Sequence, residues 1–99
     1  MPKIVKEPER LRILFAGRLD ATNAAEAMAE VSEGLEGLDR DILLDLSELE
    51  YISSAGLQVL LKCAKSVQAI GKSLLVTGAH PNVREILKVS GFLTFMKEI

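Results

Sequence analysis

Ninety-nine residues fall well below the roughly 250 at which chains divide into several cores, so a single domain is expected over residues 1–99. With 48% hydrophobic and 26% charged residues the composition is globular and excludes a disordered chain. Twelve basic against fourteen acidic side chains, a net charge of −2, exclude the concentrated Lys/Arg footprint of a general nucleic-acid binder.

The segment Pro2–Glu7 is short and charged, with Ile4 and Val5 as its apolar pair. Pro2 and Pro8 cannot donate to a ladder, so any strand here is an edge strand. The N-terminus has no apolar region of secretory type, and no stretch approaches the roughly 18 apolar residues of a membrane span. From Arg10 to Leu19, Leu11, Ile13 and Phe15 alternate with Arg12, Leu14 and Ala16, the period of a strand. Between Thr22 and Leu38 the apolar spacing becomes three and four (Ala24, Ala27, Met28, Val31, Leu35, Leu38), which predicts an amphipathic helix. Asp20, Thr22 or Asn23 would cap it, and Gly34 and Gly37 would loosen its end.

Asp41–Leu46 is a nearly continuous apolar run, predicting a central parallel strand covered on both faces, with Ser47–Ile52 as a connection. Helical spacing returns from Ser54 through Leu57, Leu60, Leu61, Ala64 and Val67, up to a C-cap at Gly71. Val59, Cys63 and Ile70 widen its apolar arc, which is compatible with a weak homodimer. Ser73–Thr77 predicts another buried strand. Pro81 suits the first position of a third helix, with Val83, Ile86 and Leu87 inward and Gly91 as its stop. Leu93–Ile99 predicts a terminal strand. The expected architecture is α/β: a mixed central β-sheet of four to five strands with helices packed on it, and a right-handed crossover from Ile42 to Val76.

Little in the chain suggests catalysis. Cys63 and His80, the only soft or imidazole ligands, have no metal-ligand spacing, and no metal or cofactor is expected. The single cysteine also fits a reducing cytosol, and a cytoplasmic location is expected. No glycine-rich phosphate loop is present. Asp45 stands out because it interrupts an otherwise apolar strand. Tyr51-Ile52-Ser53-Ser54-Ala55-Gly56-Leu57 stands out more, because two serines precede a helix at the end of a central parallel strand, where open α/β sheets meet ligands and partners. A serine there serves as an N-cap or as an exposed phosphoacceptor. A small hydrolase built on Ser54 with His80 or Asp45 would need that base within hydrogen-bond reach.

Asp45-Leu46-Ser47 followed by Tyr51–Leu57 resembles the signature of the STAS family, in its anti-sigma factor antagonist type. Gly17-Arg18-Leu19-Asp20 with Asn23-Ala24 resembles a second family segment, and Pro81-Asn82-Val83 through Leu87 with Ser90-Gly91-Phe92 a third. The resemblance implies a STAS-like domain that is not an enzyme. It implies binding to an anti-sigma factor that is also a serine protein kinase, release of a sigma factor, and inactivation by phosphorylation of Ser54, reset by a serine phosphatase. The partner surface it implies comprises Asp20, Asn23, Ser53, Ser54, Ala55, Gly56 and Gln58. This sequence has Ser53 where the family commonly has Asp, and Gln58 where many members have a second glycine. The alternative is a STAS adaptor subunit of a transporter or signalling assembly that never cycles through phosphorylation.

Overall fold

The computed structural model describes residues 2–99. In chain order it contains β1 (Lys3–Lys6), β2 (Arg10–Leu19), α1 (Ala24–Gly34), β3 (Asp41–Ile52), α2 (Ser54–Ala69), β4 (Leu74–Thr77), α3 (Pro81–Val89), a 3-10 turn (Phe92–Thr94) and β5 (Lys97–Glu98). The five strands form one sheet in the order β1-β2-β3-β4-β5. β1 is an antiparallel edge strand on β2, and all other neighbours are parallel.

Alternation decides which side of each strand is buried. Leu11, Ile13 and Phe15 of β2, Ile42, Leu44 and Leu46 of β3, and Leu74 and Val76 of β4 enter one core with Ala27 and Val31 of α1, Val59, Leu60, Cys63 and Val67 of α2, and Val83 and Leu87 of α3. Val59 and Cys63 thus belong to the core, and only Ile70 of the predicted arc is exposed. Burial pushes the Cys63 thiol up to about 12, so it stays protonated and behaves as a small apolar side chain.

The second face of the sheet is covered differently from the first. No described helix covers it; Leu43 is nonetheless buried there, in register between Arg12 and Leu75. Arg12 spans this face, donating from Nε to Glu7 at 2.9 Å and from Nη1 to Asp45 at 2.8 Å. The Arg12 side chain therefore lies over β3 on the face that the continuous apolar run predicts to be covered.

Three element boundaries also differ from the sequence reading. Residues 47–52 are strand, not connection: β3 continues to Ile52 with irregularities opposite β2, because Leu14, Ala16, Gly17 and Arg18 pair with Asp45, Glu48, Leu49 and Tyr51. These bulges insert extra residues, so the inward side chains become Leu46, Leu49 and Ile52 and the two-residue period is lost. α1 is shorter than predicted and ends at Gly34, where a Cβ would overlap Ile4 of β1. The predicted terminal strand shrinks to Lys97–Glu98, because Gly91 adopts φ +83° and starts a turn that packs Phe92, Leu93 and Phe95 against the core.

The end of α2 follows the sequence reading. Gly71 takes φ +69°, and the amides of Gly71 and Lys72 donate to the carbonyls of Gln68 and Val67, the paired bonds of a Schellman motif. Pro81 occupies the first turn of α3.

Candidate functional site

Parallel strands deliver β2 and β3 to the same end of the sheet, so the β2–α1 turn and the β3–α2 junction lie side by side. They are joined at Leu19, whose carbonyl accepts from the Ser53 amide at 3.0 Å. Ser53 is extended (φ −101°, ψ 177°) and occupies the N-cap of α2, its hydroxyl accepting from the Gly56 amide at 3.4 Å. Ser54 is therefore the first helical residue and does not cap. It is exposed, and its hydroxyl has no hydrogen-bond partner among the described residues. The two candidate roles of the serine pair are divided between neighbours, and the dipeptide alone gave no means of assigning them.

Gly56 is buried where α2 meets β2. Its missing side chain lets α2 approach β2: a Cβ would lie 2.5 Å from the Leu19 carbonyl oxygen and 2.8 Å from Ile52 Cγ1. Gly56→Ala is therefore expected to destabilise the domain by about 1–3 kcal/mol, as overpacking does, despite alanine's better helix propensity. Urea unfolding measures the change. Ala55 is half-buried and Gln58 exposed, one turn beyond Ser54.

Asp20 and Asn23 are brought to this end of the sheet, with both side chains engaged in the turn itself. Asp20 Oδ1 accepts from the Thr22 hydroxyl at 2.6 Å and amide at 3.0 Å, and Oδ2 accepts from Arg18 Nε at 3.4 Å. The Thr22 hydroxyl, then its amide and the nearby Arg18 guanidinium, hold the Asp20 carboxyl below the ordinary carboxylate range. Asn23 occupies the N-cap position of α1 without capping it. Its Oδ1 accepts from the Asp20 amide at 3.0 Å, and its Nδ2 donates to the Arg18 carbonyl at 2.7 Å.

The sequence reading missed a pair at the same rim. Arg18 and Tyr51 are in register across β2 and β3, with the guanidinium carbon 4.4 Å from the ring centroid, a cation–π contact. The bulges in β3 set that register, so no spacing in the sequence reveals it. A second clasp was also missed: His80 Nε2 bonds the Ser47 carbonyl at 2.7 Å, and Asn82 Nδ2 donates to the Glu50 carbonyl at 2.7 Å, fastening the start of α3 to the bulged half of β3.

These partners bear on the hydrolase alternative. One His80 ring nitrogen is bonded to Ser47. Asp45 accepts from the Ser47 hydroxyl at 2.6 Å, the Ser47 amide at 3.1 Å and Arg12 at 2.8 Å. Burial alone would raise the Asp45 carboxyl, but Ser47 and Arg12 bring it below the usual range. Neither side chain hydrogen-bonds Ser54, so neither base that the hydrolase alternative names is engaged with the serine. Among the described residues no three His, Cys, Asp or Glu side chains converge to hold a metal ion. Among the described residues no helix is long and apolar enough to cross a membrane.

The assembly is a two-layer α/β domain that offers a capped helix start, with an exposed serine, at the carboxyl end of its parallel strands. The chain belongs to the STAS-domain family: the family profile described as "Mlab, STAS domain" matches residues 3–97. It is 38% identical over 78 residues to BtrV of Bordetella bronchiseptica, a protein that carries the name of an anti-sigma factor antagonist, covering 79% of this chain and 67% of that one. Its fold is similar to that of the Thermotoga maritima protein TM1081 (TM-score 0.87, 21% identity, 98% of this chain and 84% of that one). It is also similar to the unphosphorylated form of SpoIIAA (TM-score 0.83, 20% identity, 100% of this chain and 88% of that one), a Bacillus protein also solved in its phosphorylated form. At these identities the two solved structures speak to the fold.

Proposed function

We propose that this single domain is an anti-sigma factor antagonist and not an enzyme. It acts in the cytoplasm, binding an anti-sigma factor that is also a serine kinase and so freeing a sigma factor, and phosphorylation of Ser54 ends the binding. A serine phosphatase restores the active form. The observation that carries this reading is the division of labour between the serines: Ser53 caps the helix, which leaves the Ser54 hydroxyl exposed and unengaged. Kinship to BtrV supports the partner class. The contact surface comprises Ser54, Ala55 and Gln58 with the rim of the Asp20–Asn23 turn, and Ser53 contributes through the helix start it holds.

The electrostatics give the switch its sign. A phosphoserine carries about −1.5 to −2 charges at neutral pH. The start of α2 presents unpaired amides and a partial positive charge, and its first turn has no acidic residue. The phosphate is compatible with the domain's own stability, so inhibition acts at the contact surface through bulk and charge, without unfolding. The test is incubation with host cytosol and radiolabelled ATP, followed by phosphopeptide mapping. Wild type and Ser53→Ala are expected to take up label and Ser54→Ala to lose it. Label on Ser53, or undiminished label in Ser54→Ala, would overturn the assignment, and an unlabelled wild type would favour the non-cycling adaptor.

A further inference from the structure

The outer surface of the helical layer carries two rows of opposite charge. On α1, Glu26 and Glu33 are exposed and Glu30 is half-buried, with Glu30 and Glu33 bordering Pro2 and Ile4 at the edge strand, and residues 21–38 contain no Lys or Arg. On α2, Lys62 and Lys65 are exposed, and residues 53–72 contain no Asp or Glu. Six ion pairs join charges elsewhere in the described residues: Glu7 with Arg10 and with Arg12, Arg12 with Asp45, Arg18 with Asp20, Asp39 with Arg40, and Arg84 with Glu98. None of these five helix charges has an ion-pair partner among the described residues.

β2, β3 and β4 are parallel neighbours, so α1 and α2, each returning the chain to the start of the next strand, run side by side in the same direction. Both begin close to the same end of the sheet, which brings Glu30 and Glu33 to about the same height as Lys62 and Lys65. A two-fold axis in the plane of contact, parallel to the helices, would set α1 of one copy over α2 of the other, and α2 over α1. An isologous interface needs such self-complementarity. The exposed Ala25 and Ala29 leave the α1 surface low, and the half-buried Leu61 of α2 is an apolar side chain outside the core.

From these unpaired and complementary rows we infer that a second copy of this chain docks face to face on the α1–α2 layer, each copy's glutamates meeting the other's lysines. Exposed ion pairs are individually weak and screened by salt, so the dimer is transient and dissociates as ionic strength rises.

Sedimentation equilibrium of the full chain tests the pairing. Wild type is expected to self-associate at low salt, with a dissociation constant that rises about tenfold or more at about 0.5 M NaCl, where the screening length falls to a few ångströms. The double variants Lys62→Glu/Lys65→Glu and Glu30→Lys/Glu33→Lys should each be monomeric at concentrations where wild type dimerises. Their equimolar mixture should form a heterodimer, because each row then again faces its opposite. That rescue cannot arise from misfolding. Monomeric wild type at millimolar concentration, a variant that dimerises alone as well as wild type does, or a mixture that stays monomeric would each overturn the proposal. Capture of a different, acidic partner through the lysine row, without self-association, would do the same.

Discussion

Leu60→Ala is expected to lower the unfolding free energy by about 2–5 kcal/mol, the cost of deleting a fully buried leucine and leaving part of its cavity unfilled. Leu60 is 0% exposed and sits among the core side chains of sheet and helices, where tight packing leaves little room for collapse. For a domain of this size that is a large share of the total, which is commonly about 5–15 kcal/mol. The neighbouring Leu61 supplies the control. It is half-buried and outside the core, so Leu61→Ala should cost much less. Urea unfolding of both variants measures the difference. Equal losses would mean that the face of α2 on the sheet is wrongly assigned.

The second large effect concerns the two serines, whose variants should move stability and partner affinity independently. Ser54→Asp adds a negative charge to the first turn of α2, where the helix dipole favours it by about 0.3–1 kcal/mol, so the thermal midpoint should hold or rise slightly. Affinity for the proposed anti-sigma partner should nevertheless fall by about tenfold or more, because a carboxylate in the proposed contact must be desolvated without an arranged counter-charge. Ser53→Ala should show the converse. It removes the N-cap acceptor at a cost of about 1 kcal/mol, and the Ser54 hydroxyl remains available. Thermal midpoints and calorimetric titrations of the partner decide the matter. If affinity tracks stability across both variants, Ser54 is not a switch.

The start of α2 carries the same ambiguity in the sequence. Two adjacent serines before an apolar helical period mark a helix start, but the pattern does not reveal which residue is extended and which is helical. The hydrogen bond from the Ser53 amide to Leu19, a partner 34 positions earlier, fixes that choice. Asp41–Leu46 was legible because hydrophobic continuity is a local property of buried parallel strands. Its continuation to Ile52 was not, since the irregular pairing with β2 replaces alternation by steps of three and places the exposed Ser47, Glu48 and Glu50 inside a strand. Leu93–Ile99 is legible only in part for a related reason: its apolar side chains suit a strand, but the left-handed Gly91 turns Leu93 and Phe95 into a cap over the core and leaves Lys97–Glu98 as the strand. Caps and stops that depend on one residue type at one position, Pro81 and Gly71 among them, are legible in the sequence.

The close seating of Gly56 against Leu19 has a consequence for how Ser54 can be recognised. With the preceding amide bonded to β2 and the helix held against the sheet, the hydroxyl is offered by a fixed platform. An enzyme that modifies this serine must accept a folded surface, and cannot draw the segment out as an extended strand. A linear peptide of residues 51–57 would have to surrender its chain entropy to imitate that platform, and would therefore be a far poorer substrate than the intact domain.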